Sequence, residues 1–152
     1  MPENAPKPGA GFSVLHADSG KTMRGGQKQI LLLLGELTGK GVQCTLACRP
    51  GPLADEAEKQ GYPVSRLELG GEYNLLSAVQ LARLVKKLKP GLVHVHDARC
   101  HGLARLSQIL GMDRPLVVHR RVDFPIRSGL FSRKKYLRGV SRYIAVTRGI
   151  AD

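Results

Sequence analysis

Residues 12–37 read FSVLHADSGKTMRGGQKQILLLLGEL, and the fold turns on how this stretch divides. Its start, Phe12 to Ala17, has the short apolar pattern of a buried strand. Beyond a glycine-rich loop, Ile30, Leu33, Leu34 and Leu37 recur at i, i+3, i+4 and i+7, which predicts one face of a helix. The loop between them offers two ways to hold phosphate, Gly20-Lys21-Thr22 and Gly25-Gly26. An ATP-binding loop of the Walker type needs a glycine five residues before its Gly-Lys-Thr. That place is Leu15, inside the predicted strand, so the loop is too short to wrap a phosphate chain. The dinucleotide pattern G-x-G-x-x-G is absent as well. Gly25-Gly26 is different because it stands where the helix begins. Unpaired amides and the positive end of the helix dipole point outward there, and the missing Cβ lets an anion approach. Taken alone, the pair reads equally well as a tight turn.

The same alternation continues along the chain. VQCTLAC is a second strand with Cys44, Leu46 and Cys48 on one face, the cysteines serving as small core residues. LADEAEKQ is a short helix, VSRLEL a third strand and GGEYN a loop. Leu75 to Leu88 is a helix in which Leu81, Leu84, Val85 and Leu88 form a stripe opposite Arg83, Lys86 and Lys87, stopped by Lys89-Pro90-Gly91. LVHVH is a fourth strand, residues 102–110 a helix, LVVH a fifth strand and YIAV a sixth. No hairpin turn joins any two strands. The pattern predicts one α/β domain over residues 12–152, a doubly wound, mainly parallel six-stranded Rossmann-like sheet with helices on both faces. Residues 1–11, rich in proline and small residues, are expected to form a disordered tail. Ligands of such sheets sit beyond the carboxyl ends of the strands. That directs attention to residues 18–26, 49–52, 96–101 and 119–123.

Composition narrows the class. At 152 residues, 42% hydrophobic and 24% charged, the chain is of ordinary globular make-up. The longest aliphatic run, Ile30 to Leu34, is too short to cross a bilayer, and the start lacks a secretory pattern. Three cysteines with no close pair argue against a disulfide framework and for a reducing cytoplasm. The net charge is +12, and +8 of it lies from Arg114 onward, where ten Lys or Arg face only Asp123 and Asp152. Such a patch favours an anionic partner. Within it, RSGLFSRKKYLRGVSR interleaves Leu130, Phe131, Tyr136 and Leu137 with basic residues, which suits an anionic membrane surface. Nucleic acid ranks lower, for no RNA-binding signature accompanies the seven Phe and Tyr residues.

HVHDARCH invites a metal reading, since His94 and His96 share a strand face with Cys100 and His101 following. The HxHxDH order of binuclear hydrolases is not met, because Asp97 follows His96 directly. The expectation is therefore no metal, with His94 packed in the core and His96 and Asp97 lining the cleft. His16, late in the first strand, is expected to be structural.

The order RGGQ, GKGVQCTLAC, GPLADEAEKQGYPV, LKPGLVHVHD, PLVVHRR and YIAVT resembles the N-terminal domain of glycosyltransferase family 4, of GT-B fold. Two places depart from that family: the histidine usual after Gly41 is missing, and Gly91 stands where Asp is usual. The resemblance implies a retaining hexosyltransferase-like enzyme of cell-envelope glycan biosynthesis. It moves sugar from a nucleotide-sugar co-substrate to a glycan, phosphorylated or lipid-linked acceptor, with no tightly bound cofactor and no metal. It further implies a catalytic role for His119, acceptor binding by Arg120, Arg121, His96 and Asp97, and donor phosphate binding at Gly25 and Gly26. A donor-binding second domain or subunit would be needed for transfer, and the chain is expected to be either a fragment or one half of a split enzyme. The location implied is cytoplasmic, peripheral to the inner membrane face. A non-catalytic basic module for nucleic acid or anionic lipid is the alternative.

Overall fold

The computed structural model describes residues 11–120 and 139–145. Strands β1 (Ser13–Asp18), β2 (Gln43–Cys48), β3 (Val64–Arg66), β4 (Leu92–Val95), β5 (Leu116–Arg120) and β6 (Arg142–Ala145) form one sheet in the order β3-β2-β1-β4-β5-β6. Every neighbouring pair is parallel. Among the described residues four helices connect them: α1 (Gly25–Gly39), α2 (Pro52–Lys59), α3 (Leu75–Leu88) and α4 (Ala98–Ile109). This is the doubly wound, Rossmann-like arrangement that the alternation of elements predicts.

Strand side chains point alternately to the two faces, and the core divides accordingly. Leu15, Ala17, Val93, Val95, Leu116 and Val118 pack on one face with Ala78, Leu81 and Val85 of α3 and Leu103 and Ala104 of α4. Val14, Cys44, Leu46 and Cys48 pack on the other with Ile30, Leu31 and Leu34 of α1 and Leu53, Ala54 and Ala57 of α2. Cys44, Leu46 and Cys48 thus share a buried face as expected, and burial pushes the Cys48 thiol up to about 12. Helices therefore cover both faces.

Local differences from expectation have identifiable causes. The buried face of α1 is centred on Ile30, Leu31 and Leu34 rather than on Leu33 and Leu37, which are only half-buried. On α3 the buried stripe is Ala78, Leu81 and Val85, and Leu88 stands 39% exposed at the last turn. The third strand stops at Arg66 instead of Leu69. Leu69 N donates to Leu67 O and Gly70 N to Glu68 O, both at 2.9 Å, so the chain turns there. Leu69 is nonetheless fully buried. Helix α4 begins at Ala98, a turn earlier than residue 102, because Asp97 caps it. The glycine at 91 lies directly against Phe12: a Cβ built there would stand 2.4 Å from the Phe12 ring. The predicted tail lies outside the described residues except for Gly11. Most of the basic stretch 127–142 lies outside them too.

Candidate functional site

The carboxyl ends of the central strands meet at one edge of the sheet, and the polar side chains gather there. At the end of β1, Asp18 is buried, and its Oδ1 accepts from Gly20 N at 2.9 Å and from Gln27 Nε2 at 3.0 Å. Gln27 turns its other end to the backbone, Oε1 accepting from Arg24 N at 3.1 Å. One glutamine in the first turn of α1 thereby ties the helix entry to the strand it follows. Gly20 has a steric reason to be glycine, since a Cβ there would meet Gln27 Nε2 at 2.4 Å and Asp18 Oδ1 at 2.8 Å. Leu15 lies within β1, fully buried, so Gly20-Lys21-Thr22 has no phosphate-wrapping loop before it.

Gly25 and Gly26 open α1, whose first turn contains no acidic side chain. The first amides of a helix have no partner within it. Gly25 is exposed, and a Cβ added to it would meet nothing within 4 Å.

At the end of β4, Asp97 joins two segments. Its Oδ2 accepts from Ser19 N at 2.5 Å, and its Oδ1 from Ser19 Oγ at 3.0 Å and Cys100 N at 2.9 Å. Asp97 is therefore the cap of α4 and the clamp of the β1–α1 loop at once. Arg99 is exposed in the first turn of α4.

Four of the five histidines form a cluster on the sheet face that also carries α1 and α2. Parallel pairing puts His16 of β1 opposite His94 of β4, and His94 opposite Val117 of β5. His96 and His119 stand two residues further along on the same face. Ring centroids lie 5.3 Å apart for His16 with His94, 4.1 Å for His94 with His96, and 5.7 Å for His119 with either of those two. Nδ1 of His16 and Nε2 of His96 are hydrogen-bonded at 3.0 Å. Burial lowers the His16 imidazole to about 4, so it is neutral at physiological pH. His119 and Arg120 are half-buried at the end of β5.

Of the site residues expected from sequence, Gly25, Gly26, His96, Asp97, His119 and Arg120 thus lie along the carboxyl edge of the central strands. Arg121 lies outside the described residues. Sequence reasoning missed the part played by Asp18, Ser19 and Gln27, and it missed that His16 belongs with the other histidines. The available signal was the match of His16 and His94 at the same depth of two strands, which becomes legible once β1 and β4 are known to be neighbours.

The signature of Glycosyltransferase Family 4 matches residues 23–152. The chain belongs to this family. No curated protein matches it significantly. Among solved structures it resembles HepE of Anabaena crystallised with UDP-glucose, at a TM-score of 0.72 and 12% identity over 91% of this chain and 38% of that one. It also resembles MurG of Acinetobacter baumannii, at 0.63 and 15% identity over 88% of this chain and 40% of that one. A glycosyltransferase of Rickettsia africae matches at 0.61 and 15% identity over 72% of this chain and 29% of that one. At these identities the likeness is one of fold. The chain spans about two fifths of the length of the first two, one domain of a GT-B transferase.

Proposed function

We propose that this domain is the acceptor-side half of a retaining GT-B transferase, moving a sugar from a nucleotide-sugar to a glycan, phosphorylated or lipid-linked acceptor. The observation that carries the reading is the rim at the carboxyl edge. A helix start at Gly25 and Gly26 with no acidic side chain in its first turn stands beside a β1–α1 loop fixed by Asp97, with His119 and Arg120 two strands away. The HepE structure, solved with UDP-glucose, supports a nucleotide diphosphate as donor leaving group.

Each residue then has a physical task. As the bond between the sugar and the diphosphate breaks, charge grows on the departing phosphate, and the amides of Gly25 and Gly26 hydrogen-bond to it. His119 hydrogen-bonds a hydroxyl of the transferring sugar and steadies the oxocarbenium-like transition state. Arg120 and Arg121 pair with phosphate on the acceptor. His96 lines the cleft, and Asp97 keeps the loop that forms its wall. The donor-binding half is supplied by a second domain or subunit, and the work is done at the cytoplasmic membrane face. No metal is invoked in the transfer.

Amide chemical shifts of the labelled chain, titrated with UDP-glucose and separately with a short-chain polyprenyl phosphate, test the reading. Shifts centred on Gly25, Gly26, His96, His119 and Arg120 are expected. Perturbation confined to remote surfaces, or a response to oligonucleotide alone, would favour a non-catalytic basic module.

A further inference from the structure

We propose that His16, His94 and His96, the last of which also lines the proposed cleft, form a binding site for a transition-metal dication of the zinc class. Each ring offers one nitrogen, and the three nitrogens lie within 4.8 Å of one another. Nitrogens bound to one zinc at about 2.0–2.1 Å in tetrahedral geometry stand about 3.4 Å apart. Ring-tip movements of about 1 Å therefore close the set around an ion. The contact between His16 and His96, at 3.0 Å, already has the right scale.

The backbone builds this arrangement. His16 and His94 are register partners in adjacent parallel strands, and His96 follows His94 by one strand repeat. All three are buried. Neutral imidazole is the form that binds metal. The donor set, all nitrogen and without thiolate, suits zinc, nickel, cobalt or copper rather than magnesium or calcium. His119 stacks on His94, with ring centroids 5.7 Å apart and an interplanar angle of 14°.

A packed-core reading accounts for one buried histidine but poorly for three in mutual reach. Without an ion, one ring must place a proton in the contact between His16 Nδ1 and His96 Nε2. His16 Nε2 then remains buried with no hydrogen-bond partner among the described residues. A cation in the contact takes both lone pairs, and tautomerisation moves the shared proton to the far nitrogen without net proton loss.

The test uses the full chain without a polyhistidine tag, in chelator-free buffer, titrated calorimetrically with zinc chloride. One equivalent should bind with a micromolar or tighter dissociation constant, and the unfolding midpoint should rise with zinc. Cobalt(II) should give visible d–d bands without the near-ultraviolet thiolate charge-transfer band that Cys44, Cys48 or Cys100 would produce. His94→Gln should weaken binding by more than about 100-fold. Absence of stoichiometric binding, a thiolate band, or undiminished binding by a folded His94→Gln variant would overturn the proposal. If that variant does not fold, the wild-type cobalt spectrum still decides. None of these readouts depends on sugar transfer, so failure of the metal site is distinguishable from failure of the transferase reading, although His96 belongs to both.

Discussion

Asp97 grips Ser19 twice, through the backbone nitrogen at 2.5 Å and the hydroxyl at 3.0 Å, across 78 residues of sequence. The same carboxylate caps α4 through Cys100 N. Replacement by alanine removes the cap and leaves the Ser19 loop without its anchor. Asp97→Ala should cost about 1–3 kcal/mol in urea unfolding. Asp97→Asn retains an acceptor for the cap and should lose less than half as much. Equal losses in both variants would show that the second oxygen, not the cap, dominates.

The helix entry separates stability from ligand binding. A Cβ at position 20 collides with Gln27 and Asp18, whereas one at position 25 meets nothing. Gly20→Ala should destabilise the fold by about 1–3 kcal/mol. Gly25→Ala should leave the unfolding midpoint unchanged or slightly raised, while weakening UDP-glucose binding by obstructing the amides. Titration of both variants with UDP-glucose, alongside their melting curves, makes the comparison.

His16 should make stability depend on pH in the presence of chelator. Its folded value, about 4, lies below the ordinary 6.5. The unfolded chain therefore binds a proton below about 6.5 that the folded chain refuses. The stabilisation is intact above that pH and lost progressively as pH falls toward 4, by at most about 3 kcal/mol. Denaturant midpoints measured between pH 7 and pH 4.5 should show the decline. His16→Gln should flatten it, and an unaltered slope in that variant would assign the decline to other groups.

The two ends of the α3 stripe should behave differently. Leu81 is fully buried, and Leu81→Ala should cost about 2–5 kcal/mol. Leu88, largely outside the core, should cost less than about 0.5 kcal/mol when truncated. Comparable losses at both positions would mean that α3 is rolled relative to the described packing.

If Arg120 and Arg121 hold acceptor phosphate, Arg120→Ala and Arg121→Ala should each weaken polyprenyl phosphate binding about tenfold or more while leaving UDP-glucose affinity unchanged. Unaltered affinity in both variants would remove them from the acceptor site.

What the sequence discloses and what it conceals follow from the range of the forces involved. The bounds of α3, Leu75–Leu88, were readable because both signals are local. Asn74 caps its start, accepting from Ser77 N at 2.9 Å, and the chain ends it at Lys89 with a left-handed turn before Pro90. The parallel order was readable because each strand is followed by a connection too long for a hairpin. The premature end of β3 was not, because it depends on contacts from elsewhere. Ser77 Oγ donates to Glu68 O at 2.6 Å, and Arg49 Nη1 donates to Leu69 O at 2.9 Å. The histidine cluster was hidden for the same reason. His16 and His94 are 78 positions apart, and only the adjacency of β1 and β4 makes them neighbours. The edge where Gly25, Asp97 and His119 gather was readable from topology, but the network of Asp18, Ser19, Gln27 and Asp97 that fixes it was not.

Gly91 departs from the aspartate usual in the resembled family, and Phe12 occupies the volume where that side chain would begin. A side chain at position 91 therefore requires the Phe12 ring, which is 43% exposed, to swing aside. A chimera that joins the first strand of this chain to the remainder of an aspartate-bearing relative would force the aromatic ring out of place. Segment swaps within the family should cross over on the same side of both residues, or carry both substitutions at once.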